Sequence, residues 1–191
     1  ATRWTRGKSE SGQSGVLRGI TPDSPPVIYR NVLVTDGDFE PRRGKTVKGW
    51  DVLTGRPLWT WYAKAQPGDP NREPTWLDGS GENNVSPDIW GTTTLDAERG
   101  LVFVPIETTQ GTGAHPGNNL YSDCVVAIDA LTGKMIWYQQ QVHQPQGDDD
   151  TAAAPVNIEV VRDGQVIPAL AEYTKLSLLF IYNRVTGEPI F

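Results

Sequence analysis

The sequence has almost no sulfur and little histidine: one cysteine, one methionine and two histidines in 191 residues. Cys124 stands alone, so the chain closes no internal disulfide and offers no cysteine cluster to zinc. His115 and His143 lack a second ligand at metal spacing and read as ordinary loop or strand-end residues. No apolar run approaches the length of a membrane-spanning helix, and Ala1–Arg6 has no signal-like apolar core. Positive charge is also short. Seventeen Lys and Arg against 23 Asp and Glu leave a net charge of −6. That argues against a nucleic-acid partner, which needs a basic face to displace counterions. Gly-x-Gly-x-x-Gly after a strand, the P-loop and Gly-x-Ser-x-Gly are all missing. Gly79-Ser80-Gly81-Glu82 lacks the third glycine and the helix, which counts against a nicotinamide fold.

Turn formers and indoles are abundant instead: 20 Gly, 15 Pro and seven Trp. Large indole faces need packing partners, so a chain rich in both turns and Trp suggests layered sheets. One phrase recurs three times. Asp51-Val52-Leu53-Thr54-Gly55 leads to Trp59, Asp129-Ala130-Leu131-Thr132-Gly133 to Trp137, and Asn183-Arg184-Val185-Thr186-Gly187 to Phe191. In each, a short polar side chain caps a turn, Gly supplies the positive φ, and a second strand leaves carrying an aromatic. Repetition at fixed internal spacing specifies a repeat architecture, although the residues leave open which one.

Further strand-like runs lie between the copies: Val27–Thr35, Thr92–Leu95, Leu101–Ile106, Cys124–Ile128, Ile136–Gln141, Val156–Val161 and Leu178–Tyr182. Turns are expected at Arg30-Asn31, Ala97–Gly100 and Arg162–Gly164. No stretch holds a helical apolar period over three turns. Arg42, Arg43, Lys45 and Lys48, beside Asp36, Asp38 and Glu40, read as a solvated loop. Residues 63–87, polar and rich in Pro, Gly, Asp and Asn, read as an extended loop. The expected fold class is all-β, with residues 1–191 forming two to three blades of a β-propeller. The remaining blades would come from missing sequence or from other copies of the chain.

The repeated phrase resembles the tryptophan-docking motif of PQQ-dependent (quinoprotein) dehydrogenases, whose propellers have eight blades. The order of other features is similar to the membrane-bound quinoprotein glucose dehydrogenases. These are Ser24-Pro25-Pro26-Val27, Trp90 followed by Leu95–Pro105, Val142-His143, an Asp cluster, and Lys175 shortly before Asn183-Arg184. The resemblance runs from about Ser24 to Phe191. It implies pyrroloquinoline quinone (PQQ) and calcium as cofactors, a sugar or alcohol as substrate, a quinone or cytochrome as electron acceptor, and a periplasmic location with a tether to the inner membrane outside this chain.

Residue by residue, the resemblance makes Trp90 the floor under the quinone and Asp148 the catalytic base. It makes Lys175 the hydrogen-bond donor to the quinone oxygens, catalytic as well as cofactor-binding. Thr108 falls where relatives place an Asn ligand to the calcium beside PQQ. The residues alone also allow plainer roles: a blade-packing Trp, a solvated acidic turn, an exposed strand Lys. The surroundings depart from the family pattern. His143-Gln144-Pro145-Gln146-Gly147 replaces the usual His-Asp and Trp before the catalytic Asp, Leu176-Ser177-Leu178 replaces a Gly-containing turn, and Lys48 stands where relatives often have Arg. A cofactor-free scaffold with PQQ-like repeats is the alternative, of the kind that assembles other proteins. If the enzyme reading holds, Trp90, Asp148 and Lys175 face one cavity, and Asp149 and Asp150 point elsewhere.

Overall fold

The computed structural model describes residues 24–191 except 73, 78, 84, 111–114 and 146. Three antiparallel sheets follow one another along the chain. The first comprises β1 (Val27–Tyr29), β2 (Val32–Glu40), β3 (Gly44–Asp51) and β4 (Pro57–Tyr62). The second comprises β6 (Thr94–Asp96), β7 (Leu101–Ile106), β9 (Cys124–Asp129) and β10 (Met135–Gln140). The third comprises β11 (Val156–Arg162), β12 (Gln165–Tyr173) and β13 (Leu179–Asn183), with a bridge between Tyr182 and Pro189 beginning a fourth edge. Within each sheet, strands pair in chain order, because short turns return every strand beside its predecessor. A short 3-10 turn (Ser80–Glu82) and β5 (Ser86–Pro87) lie in the β4–β6 connection, and β5 pairs with β8 (Thr109–Gln110) of the β7–β9 connection.

Period-two alternation on the central sheet builds two interfaces at once. Val102, Val104, Ile106, Val126 and Ile128 pack with Val32, Val34 and Val47 of the first sheet. Leu101, Phe103, Val125 and Ala127 point the other way, onto Leu170 and Tyr182 of the third. A sheet covered on both faces must be apolar on both, so β7 and β9 are near-continuous hydrophobic runs.

The aromatic of each repeat locks onto the next. Trp59 donates its indole N–H to the Ala130 carbonyl and Trp137 donates to that of Arg184, both at 3.1 Å. Ala130 and Arg184 occupy the same place in their phrases. The acceptor turns match as well: Asp129 Oδ1 accepts from the Leu131 and Thr132 amides, and Asn183 Oδ1 from those of Val185 and Thr186. Gly133 and Gly187 are required twice over. Each has positive φ (71° and 79°), and a Cβ on either would lie 2.5 and 2.8 Å from the indole stacked on it. Phe191, the third aromatic, is 81% exposed and has no following repeat in this chain. Val156, Tyr173 and Leu179, on one face of the third sheet by their register, are exposed too.

Two expectations need correction. The basic stretch is a solvated turn only at Arg42 and Arg43, which are exposed between β2 and β3; Lys45 and Lys48 belong to β3, and Asp36, Asp38 and Glu40 to β2. Cross-strand pairing turns the charges inward, with Lys48 Nζ bonding Asp38 at 2.5 Å and Glu40 at 3.2 Å. The second correction concerns 63–87, which is irregular but not open. Ala63, Ala65, Trp76, Ser80, Ser86 and Pro87 are buried, and Trp76 donates its indole N–H to the Leu120 carbonyl at 2.8 Å.

Candidate active site

An antiparallel meander places successive connections at alternate ends. The Thr-Gly turns lie at one end of the sheets. The longer connections 63–93, 107–123, 141–155 and 174–178 gather at the other. Most residues singled out above meet there. Lys175 Nζ donates to Asp148 Oδ1 at 2.8 Å and also to Asp150 Oδ2. The backbone reinforces that join, since Lys175 N donates to the Asp150 carbonyl at 3.0 Å. Thr108 N donates to Asp150 Oδ1 (2.9 Å), its hydroxyl donates to Asp123 Oδ1 (2.8 Å), and the Asp149 amide donates to that hydroxyl (3.2 Å).

Asp150 therefore does not point elsewhere. Its side chain is 3% exposed, whereas that of Asp148 is 76% exposed. The two differ in what they can do. Asp150 is a fixed anchor that ties Lys175 to Thr108, while Asp148, bonded to Lys175 and lying against Asp150, remains largely exposed. An ammonium has three N–H donors, and these two carboxylates leave one over.

The electrostatics follow from this crowding. Burial raises the Asp150 carboxyl, but its hydrogen bonds with Asp148, Lys175 and the Thr108 amide outweigh that and hold it below the usual range. Hydrogen bonds to Asp148 and Asp150 push Lys175 well above the ordinary lysine value, so its positive charge is retained. Glu107, buried and lacking a partner for Oε1 among the described residues, is pushed up to about 7 by burial and by Asp150 and Asp88. Asp123 rises to about 6, chiefly through burial. Carboxyls raised in this way, Glu107 and Asp123, surround the one open carboxylate, Asp148.

Trp90 sits at the same end of the second sheet. Its neighbours Ile89 and Gly91 are buried, and a Cβ on Gly91 would meet the Ala152 carbonyl at 2.7 Å, so the chain is pinned beside the Asp148–Asp150 segment. The indole itself is 61% exposed. It does not serve as an inter-blade dock as Trp59 and Trp137 do. An open indole face and a permanently charged ammonium with a spare N–H complement a flat, electron-poor, anionic ring such as PQQ. Calcium fits less well. The Thr108 hydroxyl is occupied by Asp123 and Asp149, and no three His, Cys, Asp or Glu residues among those described are placed to hold a metal ion.

Asp150, Asp123 and Glu107 escape a reading of the sequence. For Asp150 a signal existed: in an extended segment, residues i and i+2 point the same way, so a partner of Asp148 can reach Asp150 too. Glu107 and Asp123 come to the cluster only through tertiary pairing.

Comparison with known proteins agrees with this architecture. The family model for the glucose/ethanol/alcohol dehydrogenase β-propeller domain matches residues 8–191. The quinoprotein glucose dehydrogenase of Escherichia coli (strain K12) is 31% identical over 178 residues, which are 88% of this chain and 22% of that protein. The glycerol dehydrogenase large subunit of Gluconobacter thailandicus is 32% identical over 200 residues, covering 94% of this chain and 26% of that one. The chain thus spans about a quarter of such relatives. Among solved structures, a europium-containing methanol dehydrogenase superposes with a TM-score of 0.75 at 18% identity, over 94% of this chain and 35% of its own. A quinohemoprotein alcohol dehydrogenase from Pseudomonas putida HK5 gives 0.72 at 20% identity, over 87% and 26%. With a family model spanning nearly every residue and the docking repeats in place, the chain belongs to the PQQ-dependent quinoprotein dehydrogenases, as part of their β-propeller.

Proposed function

We propose that this chain carries the substrate-facing residues of a PQQ-dependent dehydrogenase that oxidises a sugar or an alcohol. The observation that carries the reading is the open Asp148 carboxylate, held at 2.8 Å by Lys175, which buried Asp150 fastens in turn. When bound, PQQ supplies the two-electron acceptor for the hydride leaving the substrate carbon. Asp148 takes the proton from the substrate hydroxyl, the task of a positioned general base. Lys175 keeps that carboxylate oriented, and its remaining N–H would be available to the quinone oxygens. Trp90 provides the flat surface under the ring. No step is assigned to calcium.

The unmatched Phe191 and the exposed row Val156, Tyr173 and Leu179 suit further blades that close the ring, because a bare blade face of this kind is costly to leave wet. The electron acceptor would be a quinone or cytochrome, and the compartment the periplasm. Among the described residues, no helix is long and apolar enough to cross a membrane.

The test is reconstitution of a complete propeller that contains this segment, since the segment by itself is not expected to turn over. Added PQQ should bind saturably by absorption spectroscopy, and glucose, ethanol or glycerol should then drive reduction of an artificial dye. Failure to take up PQQ would leave a cofactor-free scaffold as the better reading.

A further inference from the structure

The same end of the sheets carries a concavity whose lining residues are none of those in the carboxylate cluster. A cleft of about 440 Å³ opens between the β2–β3 turn and the 63–87 segment. Arg42, Arg43, Lys64 and Arg72 line it, together with Gln66 and one carboxylate, Glu82. Two of these cations have carboxylate partners, Arg72 in Glu82 and Arg43 in Glu40 at 3.7 Å.

Lys64 makes this more than a basic surface patch. It is 1% exposed, and its ammonium donates to the Asn83 carbonyl at 2.7 Å. Among the described residues no carboxylate forms an ion pair with it. A buried ammonium bonded to one neutral oxygen keeps two N–H donors over, and a buried charge is costly without a counter-charge. Burial, and then the nearby charge of Arg72, push Lys64 down to about 8. An anion arriving in the cleft would relieve that cost.

The wall is built before any ligand arrives. Gln66 donates its amide to the carbonyls of Arg43 (2.9 Å) and Lys64 (2.7 Å), and Arg43 Nε donates back to Gln66 Oε1 (3.3 Å). The Arg43 guanidinium also lies 3.9 Å from the Tyr62 ring centroid. Arg72 is held by Glu82, and Ala63 N donates to the Lys45 carbonyl at 2.9 Å. Cations fixed in advance lose little freedom on binding.

We propose that this cleft is an anion site for a phosphate-type oxyanion, with Lys64, Arg72 and Arg43 as its cationic wall. Guanidinium forks and an ammonium approaching from separate elements suit several oxygens on one centre. The cleft exceeds a bare phosphate, so a phosphate bearing an organic group fits, either a soluble phosphomonoester or a lipid headgroup.

Calorimetric titration of the purified protein with phenyl phosphate tests the soluble source. Co-sedimentation with phosphatidylcholine vesicles, with and without phosphatidic acid, tests the lipid source. Binding is expected in at least one arm, weakened at least about tenfold, or about 1.4 kcal/mol, by Arg72→Gln and by Arg43→Gln. The Arg43 side chain is 55% exposed, so its replacement leaves the fold intact and carries the test if Arg72→Gln does not fold. Binding in neither arm, or binding that the folded variants leave unchanged, overturns the proposal.

Discussion

Glu172 on β12 is wholly buried, and neither of its carboxyl oxygens has a hydrogen-bond partner among the described residues. Burial pushes it from 4.5 to about 9. At pH 7 the folded protein therefore keeps a proton that the unfolded chain gives up. The sign follows from that difference. A carboxyl raised on folding contributes stability that is complete below pH 4.5 and is lost progressively as pH rises toward about 9. The gap between pH 7 and 4.5 is 2.5 units, and at about 1.36 kcal/mol per unit it amounts to about 3 kcal/mol. Glu172→Gln keeps the shape and removes the proton linkage. It should raise the unfolding free energy by about 3 kcal/mol at pH 7 and by less than about 1 kcal/mol near pH 5. Urea denaturation of both proteins at the two pH values measures this. An equal effect at both, or destabilisation at pH 7, would refute the reasoning, because either result means that Glu172 is not a buried neutral acid.

Trp137→Ala should cost about 3–5 kcal/mol, as other large buried aromatics do, and Phe191→Ala far less, as measured by the same denaturation. Gly187→Ala should also destabilise, since its Cβ would lie 2.8 Å from the Trp137 ring at a φ of 79°; an unchanged midpoint would count against the docking geometry. Trp90→Ala should weaken PQQ binding while leaving the unfolding midpoint close to wild type, because the indole is mostly exposed. Asp150→Asn should lower both PQQ affinity and stability, since it frees Lys175 and Thr108 together; spectroscopic titration and thermal melts report on each.

The docking repeats were legible because their cause is local. An Asp or Asn that caps its own turn and a Gly at positive φ are needed whatever surrounds them. The β7 and β9 runs were legible because a strand covered on both faces must be apolar throughout. A strand with Lys48 could be read before the first repeat, but not the full extent of β3, because Lys48 is neutralised by Asp38 and Glu40 of β2 and Lys45 by Asp88, pairings that local composition does not show. β12 was hidden by Pro168, which ordinarily demotes a strand; here the Pro168 carbonyl accepts from the Arg184 amide at 3.0 Å. At the site, Trp90, Asp148, Lys175 and Thr108 could be placed by resemblance. The division between an open Asp148 and an anchoring Asp150 depends on burial, which three adjacent Asp residues do not reveal.

The central claim is that Asp148 is the base of a PQQ-dependent oxidation, and one comparison addresses it most directly. In a complete propeller that contains this segment, Asp148→Asn and wild type, both loaded with PQQ, should show the same cofactor absorption and closely similar PQQ affinity. Only wild type should reduce the dye on addition of the sugar or alcohol, with turnover in the variant lower by about 10²-fold or more, the range expected when a general base is removed. An Asn variant that binds PQQ and turns over at the wild-type rate would contradict the account.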